Sequence, residues 1–218
     1  HNLSYNCGHE GHTDDLQINS LRQRKIKTFA VLLFLSQGVP MFLAGDEFAR
    51  SQNGNNNAWC QDSDTSWVDW SDLHKNKGIY NFFKYCIRLR KAHKIFRLER
   101  FFATEAHGEV KSNNASIHWQ YLQPGTQNWD DNCHGLAFHL KSEHTKESTD
   151  FFLMTNNSSE SLHFTPPQLS GKKRRWYCII DTAKQAPKDF TELNDAEAIR
   201  EHSQIEIIPF SCKVLQGN

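Results

Sequence analysis

The stretch Leu35-Ser36-Gln37-Gly38-Val39-Pro40-Met41-Phe42-Leu43-Ala44-Gly45-Asp46-Glu47-Phe48 is the one on which the fold turns. Residues 39–44 are continuously apolar, with no alternation. Such a run predicts a strand buried on both faces, as in a parallel sheet. Residues 14–35, just upstream, predict a helix, because Leu16, Leu21, Ile26, Phe29, Ala30, Leu33 and Phe34 recur at roughly helical spacing. Thr13 is placed to cap it, Asp14 and Asp15 suit the positive end of its dipole, and Gly38 followed by Pro40 stops it. Arg22, Arg24, Lys25 and Lys27 read as an exposed basic middle. Helix, short loop, buried strand, then polar residues at the strand's C-terminal end is the local grammar of an α/β barrel.

Beyond Phe48 the chain is polar and rich in Asn and Trp up to about Lys77. A connection this long is uncommon between packed elements and is usually functional or disordered. Trp59, Trp67 and Trp70 argue against disorder. A short turn starting at Ser71 or Asp72 leads into a second helix over residues 78–93, with Ile79, Phe82, Phe83, Cys86 and Ile87 on its apolar stripe. The character changes after residue 101. Apolar or alternating segments recur at 116–122, 136–140, 151–155, 162–165, 176–180, 205–208 and 212–215, separated by turn formers such as Pro124-Gly125 and Ser170-Gly171. That spacing predicts an antiparallel sandwich of about six to eight strands. The domain boundary is expected near residues 97–102, dividing a 1–99 barrel portion from a 100–218 β-sandwich.

Bulk properties narrow the function without naming it. Lys+Arg and Asp+Glu are equal at 25 each, so no net field draws the chain to nucleic acid or to an anionic membrane. The longest apolar run, residues 29–35, is far short of the roughly 20 residues that span a bilayer, and no secretory leader pattern is present. Six cysteines without a CxxC pair read as free thiols of a reducing, cytoplasmic compartment, although an even count also permits three disulfides. The sequence opens His1-Asn2-Leu3, without Met and in mid-pattern, which suggests a chain whose N-terminal portion lies elsewhere.

Three stretches together resemble the isoamylase and glycogen-debranching branch of the α-amylase superfamily. The first is Asn2-Leu3-Ser4-Tyr5-Asn6-Cys7-Gly8-His9-Glu10-Gly11, and the second is the 35–48 segment. The third is Gln52-Asn53-Gly54-Asn55-Asn56-Asn57-Ala58-Trp59-Cys60-Gln61-Asp62, followed by Trp67-Val68-Asp69-Trp70. They cover roughly the first third of the chain. The resemblance implies that residues 39–44 are the last strand of a (β/α)8 barrel, 14–35 the helix before it, and the remainder a C-terminal β-sandwich. It also implies hydrolysis of α-1,6-glucosidic branch linkages in glycogen, amylopectin or limit dextrin. The retaining mechanism of that family uses an aspartate nucleophile, a glutamate acid/base and a second, stabilising aspartate. All three fall before His1, so no residue here inherits a catalytic role. The chain by itself is expected to be inactive, with the preceding part of the enzyme as its partner. The alternative is a non-catalytic carbohydrate-binding or accessory protein derived from the family.

The candidate substrate-binding residues are Asp46, Glu47, Gln52, Asn55, Asn56, Asn57 and Trp59. Adjacent carboxylates such as Asp46 and Glu47 point to opposite sides, so they cannot flank one glycosidic bond. Either one supports the cleft rim or a sugar hydroxyl, or both hold loops by hydrogen bonds. The Asn55–Asn57 amides can donate to and accept from sugar hydroxyls, or can hold a long loop in shape. Trp59, Trp67 and Trp70 offer faces for pyranose rings, or form the loop's own small core. His9 and His12 have a spacing known from zinc sites but no evident third ligand, and no metal or other cofactor is expected. Lys172-Lys173-Arg174-Arg175 reads as a solvated turn before the next strand. One strand cannot close a barrel. Residues 39–44 and the apolar face of the first helix are therefore expected to self-associate, to pack on the sandwich, or to be covered by the upstream part.

Overall fold

Phe151-Phe152-Leu153-Met154 explains the architecture of the C-terminal half, because successive side chains of a strand point to opposite faces. Phe151 and Leu153 enter one hydrophobic cluster and Phe152 and Met154 a second, so the strand is buried on both sides. The structure, a computed structural model, describes residues 4–99, 102, 115–142, 149–171 and 174–218.

Among the described residues seven strands follow the helical region: β1 Ala115–Gln120, β2 Gly135–Ser142, β3 Asp150–Asn156, β4 Leu162–Phe164, β5 Trp176–Asp181, β6 Ile205–Ile207 and β7 Ser211–Gly217. Every apolar segment expected downstream of residue 101 is a strand. β1, β2, β3, β7 and β5 form one antiparallel sheet in that order, and β4 pairs with β6 in a two-stranded ribbon. One face of the large sheet carries Ala137, Phe152, Met154 and Leu215 against Phe164, Ile205 and Ile207 of the ribbon. The other face carries Phe138, Leu140, Phe151, Leu153 and Val214 against the helices. Each such side chain contributes about 1.5–3 kcal/mol when fully buried.

The helices are α1 Leu16–Leu35, α2 Asp72–Lys75 and α3 Lys77–Ala92. The cap of α1 is Asp15 rather than Thr13. Asp15 Oδ1 accepts from the Gln17 and Ile18 amides at 2.8 and 3.1 Å, and Thr13 Oγ1 accepts from the Asp15 amide. Ala30, Val31, Phe34 and Leu35 of α1 pack with Ile79, Phe82, Phe83 and Cys86 of α3 and with the sheet. Arg90 of α3 closes the far end of α1, donating to the Phe34 and Ser36 carbonyls at 2.7 and 2.6 Å and also to Gly38 O. Those carbonyls have no partner within the helix, so a buried guanidinium supplies one.

Two expectations are corrected here. The basic middle of α1 is not solvated: Lys27 is buried and pairs with Asp189 at 2.6 Å, Arg24 donates to Pro209 O at 2.8 Å, and Lys25 reaches Asn157 at 3.3 Å. α1 lies on the sheet domain, so its cations meet loop carbonyls and a carboxylate instead of water. The second correction is larger. Residues 39–44, expected as the last barrel strand, form no strand, and Val39 and Met41 are 94% and 87% exposed. A strand exists by hydrogen bonding to a neighbour, and none of the described residues pairs with this run. The expected 99/100 boundary falls at the edge of the residues outside the description. All six cysteines are unpaired thiols, with Cys60 exposed and Cys7, Cys86 and Cys212 buried. Among the described residues no helix is long and apolar enough to cross a membrane.

Candidate functional site

The loop after residue 44 begins with a reversal built on Gly45. Its φ of 98° suits glycine, and a Cβ there would lie 2.8 Å from Arg50 Cδ. Residues 46–48 make one 3-10 turn that buries Phe48, and Arg50 N returns to Gly45 O at 3.0 Å. Both carboxylates serve this turn. Asp46 Oδ2 accepts from the Leu43 amide at 3.1 Å, and Glu47 Oε2 accepts from the Gly45 amide at 2.8 Å. They bind two different amides of their own loop, the arrangement expected of structural carboxylates.

The next residues divide into a scaffold and an exposed tip. Gln52 accepts from Arg50 Nη2 at 3.0 Å and donates to Asn55 O at 2.8 Å. Asn55 donates from Nδ2 to Gln61 Oε1 at 2.9 Å and accepts from the Asn57 amide at 2.9 Å. Asn57 Oδ1 receives the Trp59 amide at 3.4 Å, leaving its Nδ2 without a partner among the described residues. Among the described residues the Asn56 side chain finds no hydrogen-bond partner, and the Trp59 ring is 87% exposed with no ring partner. Asn56, Asn57 and Trp59 therefore turn outward, while Asp46, Glu47, Gln52 and Asn55 are occupied with the loop. Trp67 and Trp70 are also exposed, but Trp67 Nε1 donates to Asp62 Oδ1 at 2.7 Å and Trp70 leans on Phe48, with ring centroids 5.8 Å apart. Asn76 Nδ2 donates to Phe48 O at 3.0 Å, fastening the loop to the start of α3. Near the loop's end the Asp69 carboxyl is held below its ordinary value by hydrogen bonds from Ser71.

A second loop joins the first. Glu10 Oε1 would sit 3.3 Å from a Cβ at Gly54, so the 6–11 segment approaches the 52–57 segment. Arg22 of α1 fixes that segment by donating to Gly11 O at 2.8 Å, Asn6 O at 3.1 Å and His9 O. Sequence reasoning had no signal for this use of Arg22, because the acceptors are backbone carbonyls that any sequence supplies. His9 and His12 gather no further ligands: among the described residues no group of three His, Cys, Asp or Glu side chains is placed to hold a metal.

Residues 118–213 match a family model described as Isoamylase 1-3, C-terminal. A glycogen operon protein GlgX homolog of Mycobacterium tuberculosis is 50% identical over 197 residues, covering 84% of this chain and 27% of that protein. The chain belongs to the isoamylase-type debranching family. Isoamylase SU1, chloroplastic, of Zea mays is 34% identical over 191 residues, covering 87% of this chain and 22% of its own length. The chain thus spans about a quarter of the length of these relatives, and the match lies in the family's C-terminal portion. Among solved structures, pullulanase from Bacillus acidopullulyticus superposes with a TM-score of 0.62 at 19% identity, covering 94% of this chain and 21% of that one. Pullulanase type I from Bacillus subtilis, complexed with maltose, gives 0.63 at 19% identity, covering 94% and 24%. These two likenesses establish a shared fold.

Proposed function

We propose that this chain is the C-terminal part of an enzyme that hydrolyses α-1,6-glucosidic branch linkages of glycogen or a similar branched α-glucan. The retaining pair of carboxylates and the third, stabilising aspartate are supplied by residues outside these 218. Residues 1–99 then form the closing part of a (β/α)8 barrel, and 100–218 form the supporting β-sandwich. Without the rest of the enzyme the exposed 39–44 run favours self-association. The enzyme works in the cytoplasm and needs no cofactor.

The observation that carries this reading is the division of labour in the 46–59 loop. Asp46 and Glu47 are bound to their own backbone, and neither takes part in bond cleavage. Gln52 and Asn55 stiffen the loop. Asn56 and Asn57 present amides, and Trp59 an open indole face, at the tip. Amides that both donate and accept suit vicinal sugar hydroxyls, and a flat aromatic face suits the C–H side of a pyranose. We assign these three residues to one wall of the glucan cleft, with Asp46, Glu47, Gln52 and Asn55 as their support.

The test incubates a branched maltodextrin with this chain alone, with the complete enzyme, and with the complete enzyme carrying Trp59→Ala. Debranching is expected only from the complete enzyme, with KM raised about 5- to 30-fold by Trp59→Ala and kcat changed less, since loss of one aromatic face removes about 1–2 kcal/mol of binding. Debranching by the 218-residue chain alone would falsify the assignment of the carboxylates. An unchanged KM in Trp59→Ala would remove Trp59 from the cleft wall.

A further inference from the structure

A second concavity lies in the β domain, in a part of the chain that the glucan loop does not use. It is a cleft of about 270 Å³ between residues 166–171 and 174–176 on one side and the turn at 199–202 on the other. The edge of β5 holds the two walls in register, because Ile199 N donates to Trp176 O at 2.7 Å. Ser203 N donates to Arg200 O at 3.2 Å, closing a turn in which His202 takes a positive φ of 59°. Pro166, Pro167, Leu169 and Ile199 give the cleft an apolar side.

Among the described residues the charges lining this cleft are unbalanced. Arg174, Arg175 and Arg200 line it with one carboxylate, Glu201, and with His202 beside it. Arg174 is fixed in place. It donates to Ser170 O and Gly217 O at 3.2 Å each and lies 3.6 Å from Oδ2 of the buried Asp150, the oxygen that His139 Nε2 also meets at 3.2 Å. Arg175 and Arg200 are exposed and form no ion pair with the described residues, whereas the exposed cations Arg88 and Lys75 do, with Glu192 and Asp72. Three arginines thus line one small cleft, and Arg174 is held in place there. Such a cationic lining suits the oxygens of a phosphate monoester, which guanidinium groups bind in pairs of parallel hydrogen bonds.

The same cleft is poorly made for a neutral glucan. Its aromatic residue, Trp176, is buried and donates from Nε1 to Pro167 O at 2.7 Å, so it offers no open face for a pyranose. The volume lies at the low end for ligand sites, the size of a single small metabolite.

We propose that this cleft is a binding site for a small phosphate monoester, of the size of a hexose phosphate, held by Arg175 and Arg200 beside the fixed Arg174. The apolar side receives the carbon skeleton, and Arg200 carries the phosphate with Arg175. A ligand here would reach the rest of the domain through Arg174 and Asp150. The site would therefore report a phosphorylated metabolite to a protein whose polymer substrate is uncharged.

The experiment titrates the full chain, followed by NMR chemical-shift changes, with glucose 6-phosphate, with inorganic phosphate and with maltotriose. Saturable binding of glucose 6-phosphate is expected. Arg200→Ala and Arg175→Ala should each weaken it by about 10-fold or more, as loss of a charge-assisted hydrogen bond implies, and raising the salt concentration should weaken it too. Both side chains are exposed, so neither change threatens the fold, and unchanged shifts elsewhere in the spectrum confirm that. Arg200→Lys should recover part of the affinity, since the charge returns without the fork. Inorganic phosphate binding as tightly as glucose 6-phosphate would assign the site to free phosphate. The proposal is overturned if no phosphate compound saturates, if both alanine variants bind as the parent does, or if maltotriose binds equally well.

Discussion

Within residues 115–218 every described apolar run found a hydrogen-bonding neighbour, whereas the apolar run 39–44 found none among the described residues. Composition does not separate the two. Val39-Pro40-Met41-Phe42-Leu43-Ala44 is about as apolar as Phe151-Phe152-Leu153-Met154. What separates them is that β3 lies between β2 and β7, while no described strand pairs with 39–44. An apolar sequence specifies that a segment wants burial, and topology decides whether it gets it. Phe34, Phe42 and Phe83 do meet, with ring centroids 5.6–5.7 Å apart, so the run is anchored at one residue and open at the others.

The seam between the helices and the sheet should show the largest effect. Lys27 Nζ sits 2.6 Å from Asp189 Oδ2, both side chains are buried, and Asp189 Oδ1 finds no hydrogen-bond partner among the described residues. Removing one member leaves the other charged and uncompensated, which costs about 3–5 kcal/mol, while removing both for apolar residues of similar size is far milder. Lys27→Met alone should lower urea-unfolding stability by that amount, and Lys27→Met with Asp189→Leu should recover most of it. A single substitution costing under about 1 kcal/mol would mean that α1 is not held to the β domain through this pair.

Legibility followed the same divide. The strands of the β domain were readable because their signal is local, resting on apolar runs between turn formers. The helices were readable to within a residue or two of their ends. Lys27 was misread, since the sequence carries nothing to show that a cation will meet Asp189, 162 positions later, in a dry seam. The strand at 39–44 was misread because its partners are not among the described residues. In the site, the order of the loop residues and the doubt over Asp46-Glu47 as a pair were legible. Which of Gln52, Asn55, Asn56 and Asn57 face outward was not, because that depends on hydrogen bonds to Arg50 and Gln61 that only the folded loop defines.

A smaller effect separates the two regions by pH. Burial holds His93, where α3 ends against Phe96 and Phe151, below its ordinary value of 6.5. Burial alone would raise Asp150 in β3, but hydrogen bonds from His139 and the Ser142 amide, with the charges of His139 and Arg174, outweigh it and hold the carboxyl below its ordinary 3.8. Both depressed values act in the same direction. Each group's contribution is complete above its unfolded value and is lost as pH falls through its folded one, because the unfolded chain binds the proton first. The windows differ, so the seam should weaken below about pH 6.5 and the sheet only below about pH 4. Urea midpoints measured from pH 7.5 to 4.5 should fall, and His93→Phe should flatten that fall. An unchanged slope in the variant would move the titration to some other group.

The smallest effect on stability carries the sharpest contrast. Met41 is exposed, so Met41→Glu should change the unfolding free energy by less than about 0.5 kcal/mol. Leu153→Glu, the equivalent change in β3, places a carboxylate among Phe138, Phe151 and Val214 and should abolish folding. Yet Met41→Glu should reduce binding of an apolar dye and self-association by the chain, because Val39, Met41 and Leu43 together leave an apolar patch open to solvent. Light scattering across a concentration series reads the second effect, and denaturation reads the first. If Met41→Glu instead cost more than about 1 kcal/mol, residues 39–44 would be packed against the chain's own surface. The contrast between the two apolar runs would then be one of how they are buried.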